Sequence, residues 1–384
     1  MSNLKNNAIL IFSGYNQRAV VALCRKLTLM EIQFYIIALS ENDPILFSDY
    51  SDNVKAIRKR EQLDLKEALQ LVSKIKTETG SNTLTIAPSS EFLNHFLLNN
   101  RKSLEEIGCR IPLVKKELYL LITSKHSFSK LCKEHDLRVP LQCNLNGTTN
   151  FPFVAKPFIN ITKEGKSLYP YIIKDKSDLD RFLWKENKND FYFEEFVCGA
   201  SYYLLLQISS DASVKSFSQK NILQQADGKS IILAEPSDIH AHPGSQKIIK
   251  MLQAVGFTGL IMIEVRKVNE DLCVIEANPR LWGPLQLLED NDSRILSGYI
   301  TDILQLEHHA AERERGTQRK NYFWFNGFVE MVFKNKQVTN FLNDRSTLLL
   351  VLKNIANDVY LRKDTLKIFF YELRTLAKGK FLCR

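Results

Sequence analysis

The sequence lacks the long apolar run that a membrane-spanning helix requires. Although 45% of its 384 residues are hydrophobic, no stretch approaches the roughly 18 consecutive apolar residues needed to cross a bilayer. The first residues lead into a short apolar segment rather than a signal peptide. Seven cysteines are scattered along the chain without a Cys-x-x-Cys pair, which favours reduced thiols. We therefore expect a cytoplasmic protein without a membrane partner.

Glycine is missing where common nucleotide-binding motifs require it. The first predicted strand, residues 8–12, is followed by Ser13 and a single glycine, Gly14. The Gly-x-Gly-x-x-Gly motif is therefore absent there, which disfavours dinucleotide binding. Two Gly-Lys-Ser tripeptides begin at Gly165 and Gly228, but neither has the earlier glycine or the strand-loop-helix context of a P-loop.

The formal net charge of +9 is compatible with nucleic acid, an anionic surface or an anionic small substrate as the partner. The positive residues are spread along the chain, apart from residues 55–60 and the tail after Arg362. Neither cluster alternates with aromatic residues as nucleic-acid-binding segments do. We therefore expect no nucleic-acid partner.

The N-terminal third alternates strand-like and helix-like segments. Strands are predicted at 8–12, 33–39 and 83–87, and helices at 18–29, 65–76 and 91–99. This alternation predicts a small parallel sheet with helices on both faces. Ligands of such sheets lie beyond the carboxyl ends of the strands, here Ser13-Gly14, Ser40 and residues 88–91.

Residues 257–266 and 272–283 predict a hairpin, because apolar and β-branched residues dominate both and a polar break separates them. A loop of three residues would place Glu264 opposite Glu276, with Asn278 on the same face. Like charges roughly 5 Å apart are destabilising, so the pair is either a solvated face or a divalent-cation site. Ligands that are all oxygen atoms favour Mg²⁺.

Two lysines are candidate anion ligands. Lys156 ends an apolar strand-like segment, residues 151–157, where its ammonium would be buried unless it met an anion. An ammonium suits phosphate as a point charge. Lys125 follows Ser124, which we predict to cap a helix; a lysine at such a position is more often solvated.

Three motifs together resemble the ATP-grasp superfamily. They are Val-x-Lys-Pro at 154–157, Glu-Glu-Phe-Val at 194–197, and Glu-x-Asn-Pro-Arg-x-x-Gly at 276–283 with a second glutamate on the preceding strand. The resemblance implies an α/β fold that is α+β within the ATP domain. It implies a parallel-sheet pre-ATP-grasp domain, an ATP-grasp nucleotide-binding domain, and a mainly helical C-terminal extension that completes or caps it, at 1–115, 116–300 and 301–384.

The resemblance also implies roles for individual residues. The ATP would be bound by Lys125, Lys156, Lys166, Glu194, Glu195, Phe196 and Val197. Two Mg²⁺ ions, with Mn²⁺ as an alternative, would be held by Glu264, Glu276 and Asn278. Charge on the transferred group would be offset by Arg280 and Lys220. Two departures from the family pattern are a lid loop at 158–167 with one glycine, and Ser201 in place of the glutamate that holds the ribose.

The function that the resemblance implies is that of a carboxylate–amine ligase. ATP would activate a small-molecule carboxylate as an acyl phosphate, and a small-molecule amine would attack it with release of ADP and phosphate. The sequence leaves both substrates open. One alternative is an ATP-grasp regulatory protein with little or no turnover, which the two departures favour. Another is a biotin-carboxylase-like or phosphoribosyl-intermediate enzyme. The extension after residue 300 could cover the substrate or form a homodimer surface.

Overall fold

The described residues form three β-sheets, and helices pack on the faces of these sheets. The computed structural model describes residues 7–145, 150–159, 168–306, 319–342 and 346–379. The predicted fold class is confirmed, because a parallel N-terminal sheet is followed by antiparallel sheets and C-terminal helices. Within the described part of the chain, no helix is both long and apolar enough to cross a membrane.

The N-terminal region forms a parallel sheet covered by helices. Its elements are β1 Asn7–Phe12, α1 Gln17–Leu29, β2 Phe34–Ala38, β3 Val54–Ile57, α2 Leu65–Thr79, β4 Thr83–Ile86, α3 Glu91–Asn99, α4 Arg101–Glu106 and β5 Cys109–Arg110. The strand order is β3-β2-β1-β4-β5. Residues 8–12 are all buried, because helices cover both faces of the sheet and leave no polar side to the strand.

The sequence prediction misses the edge strand β3. Lys55 and Ile57 are exposed while Ala56 and Arg58 are buried. The segment therefore resembles a basic loop when it is considered without its neighbours. Its alternation shows instead that one arginine of the basic cluster points inward, away from solvent.

The middle region begins with two helices and a small antiparallel sheet. Its elements are α5 Lys116–Thr123, α6 Lys125–Glu134, β6 Gln142–Cys143, β7 Phe153–Pro157, β8 Tyr171–Ile173, α7 Lys176–Lys185 and β9 Phe191–Glu195. The strand order is β6-β9-β7-β8. Ser124 caps α6 as predicted, since its Oγ accepts the Ser127 N–H at 3.3 Å.

The remaining elements build and cover the largest sheet. They are β10 Ala200–Ile208, β11 Val214–Gln224, β12 Ile231–Ser237, α8 Pro243–Ala254, β13 Gly259–Val268, β14 Asp271–Asn278, α9 Gln286–Asp290, α10 Ile295–Leu304, β15 Tyr322–Phe323, α11 Phe325–Phe333, β16 Thr339–Asn340, α12 Thr347–Asn354 and α13 Leu366–Ala377. The strand order is β14-β13-β10-β11-β12-β15, and β16 also pairs with β11. One face packs on α1 and α10, the other on α6 and α8.

The C-terminal segment adds strands as well as helices. It extends the large sheet through β15 and β16. Helix α11 begins at Phe325 because the Asp358 carboxylate accepts the Phe325 N–H at 2.7 Å. Asp364 binds Arg25 of α1 through two hydrogen bonds of 2.7 and 3.1 Å. These hydrogen bonds join the C-terminal segment to helix α1 of the N-terminal region.

A buried carboxyl group of helix α13 is expected to make the stability of the protein depend on pH. Glu372 accepts hydrogen bonds from Asn326 Nδ2 at 2.9 Å and Trp324 Nε1 at 3.5 Å. Burial outweighs these contacts and raises the pKa of Glu372 to about 7. Between the unfolded pKa and about 7, the folded protein holds a proton that the unfolded chain releases. Its stabilisation is therefore complete at low pH and is lost as pH rises through that window.

Replacing Glu372 with Gln should remove this pH dependence. From pH 5 to pH 8, the wild type should lose up to about 3 kcal/mol of stability relative to Glu372→Gln. Urea unfolding of both proteins at the two pH values measures the difference. Glu134→Gln, at an exposed position of α6, is the control. An equal Glu372→Gln effect at both pH values would contradict the assignment.

Candidate active site

The hairpin of β13 and β14 pairs Glu264 with Glu276, as the sequence predicted. The predicted three-residue loop is wrong, because Val268 pairs with Asp271 and the turn holds two residues. A bulge next to Glu264 adds one residue to β14 and restores the register that the longer loop would have given. Asn278 lies on the same face of β14 as Glu276.

Glu276 is held in its ionised form by two neighbours. The Lys125 Nζ lies 3.3 Å from its Oε2, and Asn278 Nδ2 donates to its Oε1 at 2.9 Å. Burial favours protonation, but Lys125 and Asn278 outweigh it and lower the pKa of Glu276 to about 2. Arg280 Nη2 in turn donates to Asn278 Oδ1 at 3.1 Å, which fixes the amide.

Glu264 has a different environment although it lies opposite Glu276. Its Oε1 is 3.0 Å from Arg266 Nη2 and 3.5 Å from Ser201 Oγ. Burial raises the pKa of Glu264 despite Arg266, and the charge of Glu276 adds to the effect. The two opposed carboxyl groups therefore resist being ionised together, as expected for like charges without a cation between them.

Lys156 and Glu194 form a buried ion pair in the small sheet. They lie on the neighbouring strands β7 and β9, are 5% and 3% exposed, and their charged atoms are in contact. Burial raises the pKa of Glu194 although Lys156 and Lys125 oppose the shift. Lys156 also acts on the charge of Glu276, so the ion pair and the hairpin carboxylates form one electrostatic cluster.

The end of β9 carries three further predicted ATP-binding residues, which the resemblance assigns to the adenine. Glu195 is engaged with Leu141, because its N–H donates to the Leu141 carbonyl at 2.9 Å and its Oε1 accepts the Leu141 N–H at 3.2 Å. Phe196 and Val197 follow directly and are partly exposed. Their contact with adenine stays a prediction.

The structure does not bring Lys220 to this cluster. Lys220 lies opposite Tyr202, whereas Glu264 lies opposite Tyr203, and consecutive residues of a strand point to opposite faces. The Lys220 Nζ is 3.7 Å from Glu235 Oε1. Lys220 therefore lies on the opposite face of the sheet from Glu264, and its role next to the transferred group stays a prediction. Lys166 lies outside the described residues.

The face that carries Glu264 holds polar residues that the sequence prediction missed. Gln219 and Asn221, both fully buried, flank Lys220 in β11. Gln219 Nε2 donates to Asn221 Oδ1 at 2.7 Å, and Asn221 Nδ2 donates to Ser201 Oγ at 2.9 Å. Ser201 contacts Glu264, so the network ends on a predicted metal ligand. The strand register was the signal that could have identified these residues.

Two histidines with metal-like spacing have structural partners. His240 Nδ1 lies 2.8 Å from Ser218 Oγ, and His242 Nδ1 accepts the Gly244 N–H at 3.0 Å as the cap of α8. Among the described residues, no group of three His, Cys, Asp or Glu side chains could hold a metal ion. A cation at the hairpin would have two carboxylates and would need oxygen atoms from its substrate.

The residue types fit Mg²⁺ bound together with a nucleotide. Glu264 and Glu276 supply the hard oxygen donors that Mg²⁺ prefers, and Mg²⁺ commonly takes its other ligands from water and phosphate. A divalent cation would also allow both carboxyl groups to ionise. Asn278 Oδ1, the third predicted ligand, accepts from Arg280 here, and its second lone pair would be the one available to a metal.

Comparison with known proteins identifies the fold. No family model and no curated protein matches the sequence. An ADP complex of purK, an N5-carboxyaminoimidazole ribonucleotide synthetase, has a TM-score of 0.62 at 14% identity, over 96% of this chain and 98% of that chain.

Two biotin carboxylase structures are also similar. The Campylobacter jejuni enzyme with a β,γ-ATP ligand has a TM-score of 0.58 at 15% identity, over 79% of this chain and 72% of that one. The biotin carboxylase domain of Hydrogenobacter thermophilus 2-oxoglutarate carboxylase was solved as a dimer with MgADP, ADP and bicarbonate. Its TM-score is 0.57 at 14% identity, over 81% of this chain and 71% of that one. The chain has the ATP-grasp fold.

Proposed function

We propose that the protein is an ATP-dependent ligase that joins a small-molecule carboxylate to a small-molecule amine. The observation that carries the proposal is the charged cluster formed by Lys125, Lys156, Glu194, Glu264 and Glu276. These residues come from five separate elements, α6, β7, β9, β13 and β14, and Lys125 and Lys156 both act on the charge of Glu276. Such convergence is expected of a site for a polyanion with a divalent cation.

The proposed reaction has two steps. A substrate carboxylate oxygen takes the γ-phosphoryl group of ATP, so that ADP leaves and an acyl phosphate forms. The amine then attacks the acyl carbon, the C–O bond to phosphate breaks, and an amide-type bond forms with loss of the amine proton. Mg²⁺ would neutralise charge on the β- and γ-phosphates.

The residues of the cluster would mainly position charge for this chemistry. Lys125 and Lys156 would hold phosphate oxygens, and Glu264, Glu276 and Asn278 would hold the metal. Glu194 to Val197 would contact adenine, while Arg280 would offset charge on the acyl phosphate. The proposed domains are 1–115, 116–300 and 301–384, and a homodimer is proposed because a similar domain was solved as a dimer.

Bicarbonate is the first carboxylate substrate to test in a screen. One of the similar domains was solved with it, and the other similar proteins are named for carboxylation or carboxyamino chemistry. An ADP-release assay with bicarbonate and other acids, each with an amine library, tests the proposal. ADP formed only with a carboxylate, and a product containing both substrates by mass spectrometry, would support it. Tight ATP binding without release of ADP in every combination would instead favour the regulatory alternative.

Replacing Glu276 with Gln should abolish Mg²⁺-dependent ADP formation, with a loss of more than about 100-fold, because a proposed ligand loses its charge. Steady-state ADP release over a Mg²⁺ titration measures the effect. Glu270→Gln changes an exposed glutamate in the turn of the same hairpin and should retain activity. Unchanged ADP release by Glu276→Gln would remove the metal assignment.

Replacing Lys156 with Met should weaken ATP binding at least about tenfold, because a buried ammonium that faces phosphate is lost. The single variant also leaves Glu194 buried without its partner and should be less stable. The double variant Lys156→Met/Glu194→Gln should recover stability without recovering ATP binding. Calorimetric titration with ATP and thermal unfolding separate the two effects. Recovery of ATP binding by the double variant would show that Lys156 serves only the ion pair.

A further inference from the structure

Arg58 is a buried arginine with one unpaired edge. Its side chain is 5% exposed. Its Nη1 donates to Tyr15 Oη and to the carbonyl of Glu61, each at 3.3 Å, and both acceptors are neutral. Its Nε and Nη2 have no hydrogen-bond partner among the described residues. A buried guanidinium in this state costs folding free energy, so its retention requires an explanation.

The unpaired edge of Arg58 has the geometry of an anion ligand. Nε–H and the inner Nη2–H lie on one side of the planar guanidinium and point in the same direction. Two parallel donors match two oxygen atoms of a carboxylate or a phosphate.

Further unpaired donors belong to the loop that Arg58 contacts. Its guanidinium lies 5.1 Å from the centre of the Tyr15 ring, immediately before helix α1. Within the described ranges no side chain caps α1, because Asn16 has φ 51° and sends its Nδ2 to the Leu281 carbonyl at 2.9 Å. The Nε2 of Gln17 also has no partner among the described residues. The start of a helix of 13 residues carries partial positive charge and free N–H groups.

Asp43, the buried carboxylate after the neighbouring strand β2, is hydrogen-bonded to groups other than Arg58. Asp43 Oδ2 accepts from Ser13 Oγ at 2.6 Å and from the Leu39 N–H at 2.8 Å, and its Oδ1 accepts from the Ile45 N–H at 3.1 Å. Both oxygen atoms are therefore occupied by other donors.

This donor set lies next to the candidate active site. Arg58 follows β3, and its N–H donates to the Ala38 carbonyl at the carboxyl end of β2, the edge where parallel sheets bind ligands. Asn16 contacts Leu281, the residue after Arg280. Leu281 N–H also donates to the Pro88 carbonyl at 3.0 Å, so two loops of the N-terminal sheet adjoin the end of the metal hairpin.

We propose that Arg58, with Gln17 and the start of α1, binds an anionic group of a small-molecule substrate, a phosphate or a carboxylate remote from the reacting atoms. The anion site itself stands on the contacts of Arg58. Its use by a ligase substrate rests on the proposed function. Arg58 is then a specificity residue, since it selects substrates that carry this group.

The test uses inorganic phosphate and acetate as probes, titrated into the full chain saturated with Mg²⁺ and the non-hydrolysable β,γ-imido analogue of ATP, whose γ-phosphoryl group keeps phosphate out of the nucleotide site. Calorimetry measures binding, and thermal unfolding measures the accompanying stabilisation. Arg58→Met should bind the preferred probe at least tenfold more weakly while its affinity for ADP stays within twofold. Without probe, its melting temperature should equal or exceed that of the wild type. The exposed Arg60→Met is the matched control and should bind as the wild type does.

A packing role for Arg58 would give a different pattern. It would lower the melting temperature of Arg58→Met without probe and leave probe affinity unchanged, which overturns the proposal. Arg58→Lys keeps the charge but loses the two-donor edge, so it should fold and still bind at least threefold more weakly. Failure of the wild type to bind either probe would also overturn the proposal. Preference for phosphate over acetate identifies which anion the site takes.

Failure of the proposed function can be distinguished from failure of the anion site. If neither the ATP analogue nor ADP binds, the titration is repeated with Lys156→Met/Glu194→Gln, in which the nucleotide site has lost its buried lysine. Probe binding that persists there and is lost on adding Arg58→Met supports the anion site alone. Probe binding abolished by the double variant and unaffected by Arg58→Met contradicts the anion site and leaves the nucleotide site standing.

Discussion

The ion pair between Lys125 and Glu276 is the contact on which the candidate site depends. It connects the first residue of α6 to β14, the strand that carries Glu276, with Nζ and Oε2 3.3 Å apart. Lys156 lies in the small sheet, yet it also lowers the pKa of Glu276. A charge network of this kind places the small sheet, α6 and the hairpin around one point. At this point the lysines can bind a polyanion while the carboxylates bind a cation.

The two hairpin carboxyl groups show why a cation suits the site. The pKa of Glu276 is lowered to about 2, mainly because Lys125 overcomes the effect of burial. The pKa of Glu264 is raised by its own burial and by the charge of Glu276. Two carboxyl groups that face each other, one with a lowered and one with a raised pKa, destabilise a hairpin that has only a structural role. A functional site offers a physical reason to retain them.

Local patterns determined what the sequence could predict. Strands and helices of the N-terminal region followed from apolar runs and caps, and the opposition of Glu264 and Glu276 followed from alternation in a hairpin. The predicted length of the hairpin loop was wrong, and Glu264 pairs with Glu276 only because a bulge adds one residue to β14. Strand β3 was missed because its exposed Lys55 and the basic residues that follow it resemble a loop, although Arg58 is buried.

Contacts between residues that are distant along the chain could not be predicted from local patterns. Lys220 was chosen by its position along the chain, but only the pairing of β10 with β11 shows that Gln219 and Asn221 face Glu264 instead. The Lys156–Glu194 ion pair also needs the pairing of β7 with β9. The carboxylate pairing within one hairpin was therefore predicted from local sequence, and Lys125, Lys156 and Glu194 were identified through motifs. The contacts that join these residues come from tertiary structure.

The central claim is that the hairpin carboxylates and the buried lysines bind one metal–nucleotide complex. A crystal structure with ADP and Mn²⁺, with the metal located by its anomalous signal, tests this most directly. The account predicts a Mn²⁺ peak within bonding distance of both Glu264 and Glu276, with a nucleotide phosphate on Lys156 and Lys125. A nucleotide bound with Lys156 still paired to Glu194, or a metal peak away from the two glutamates, would contradict it.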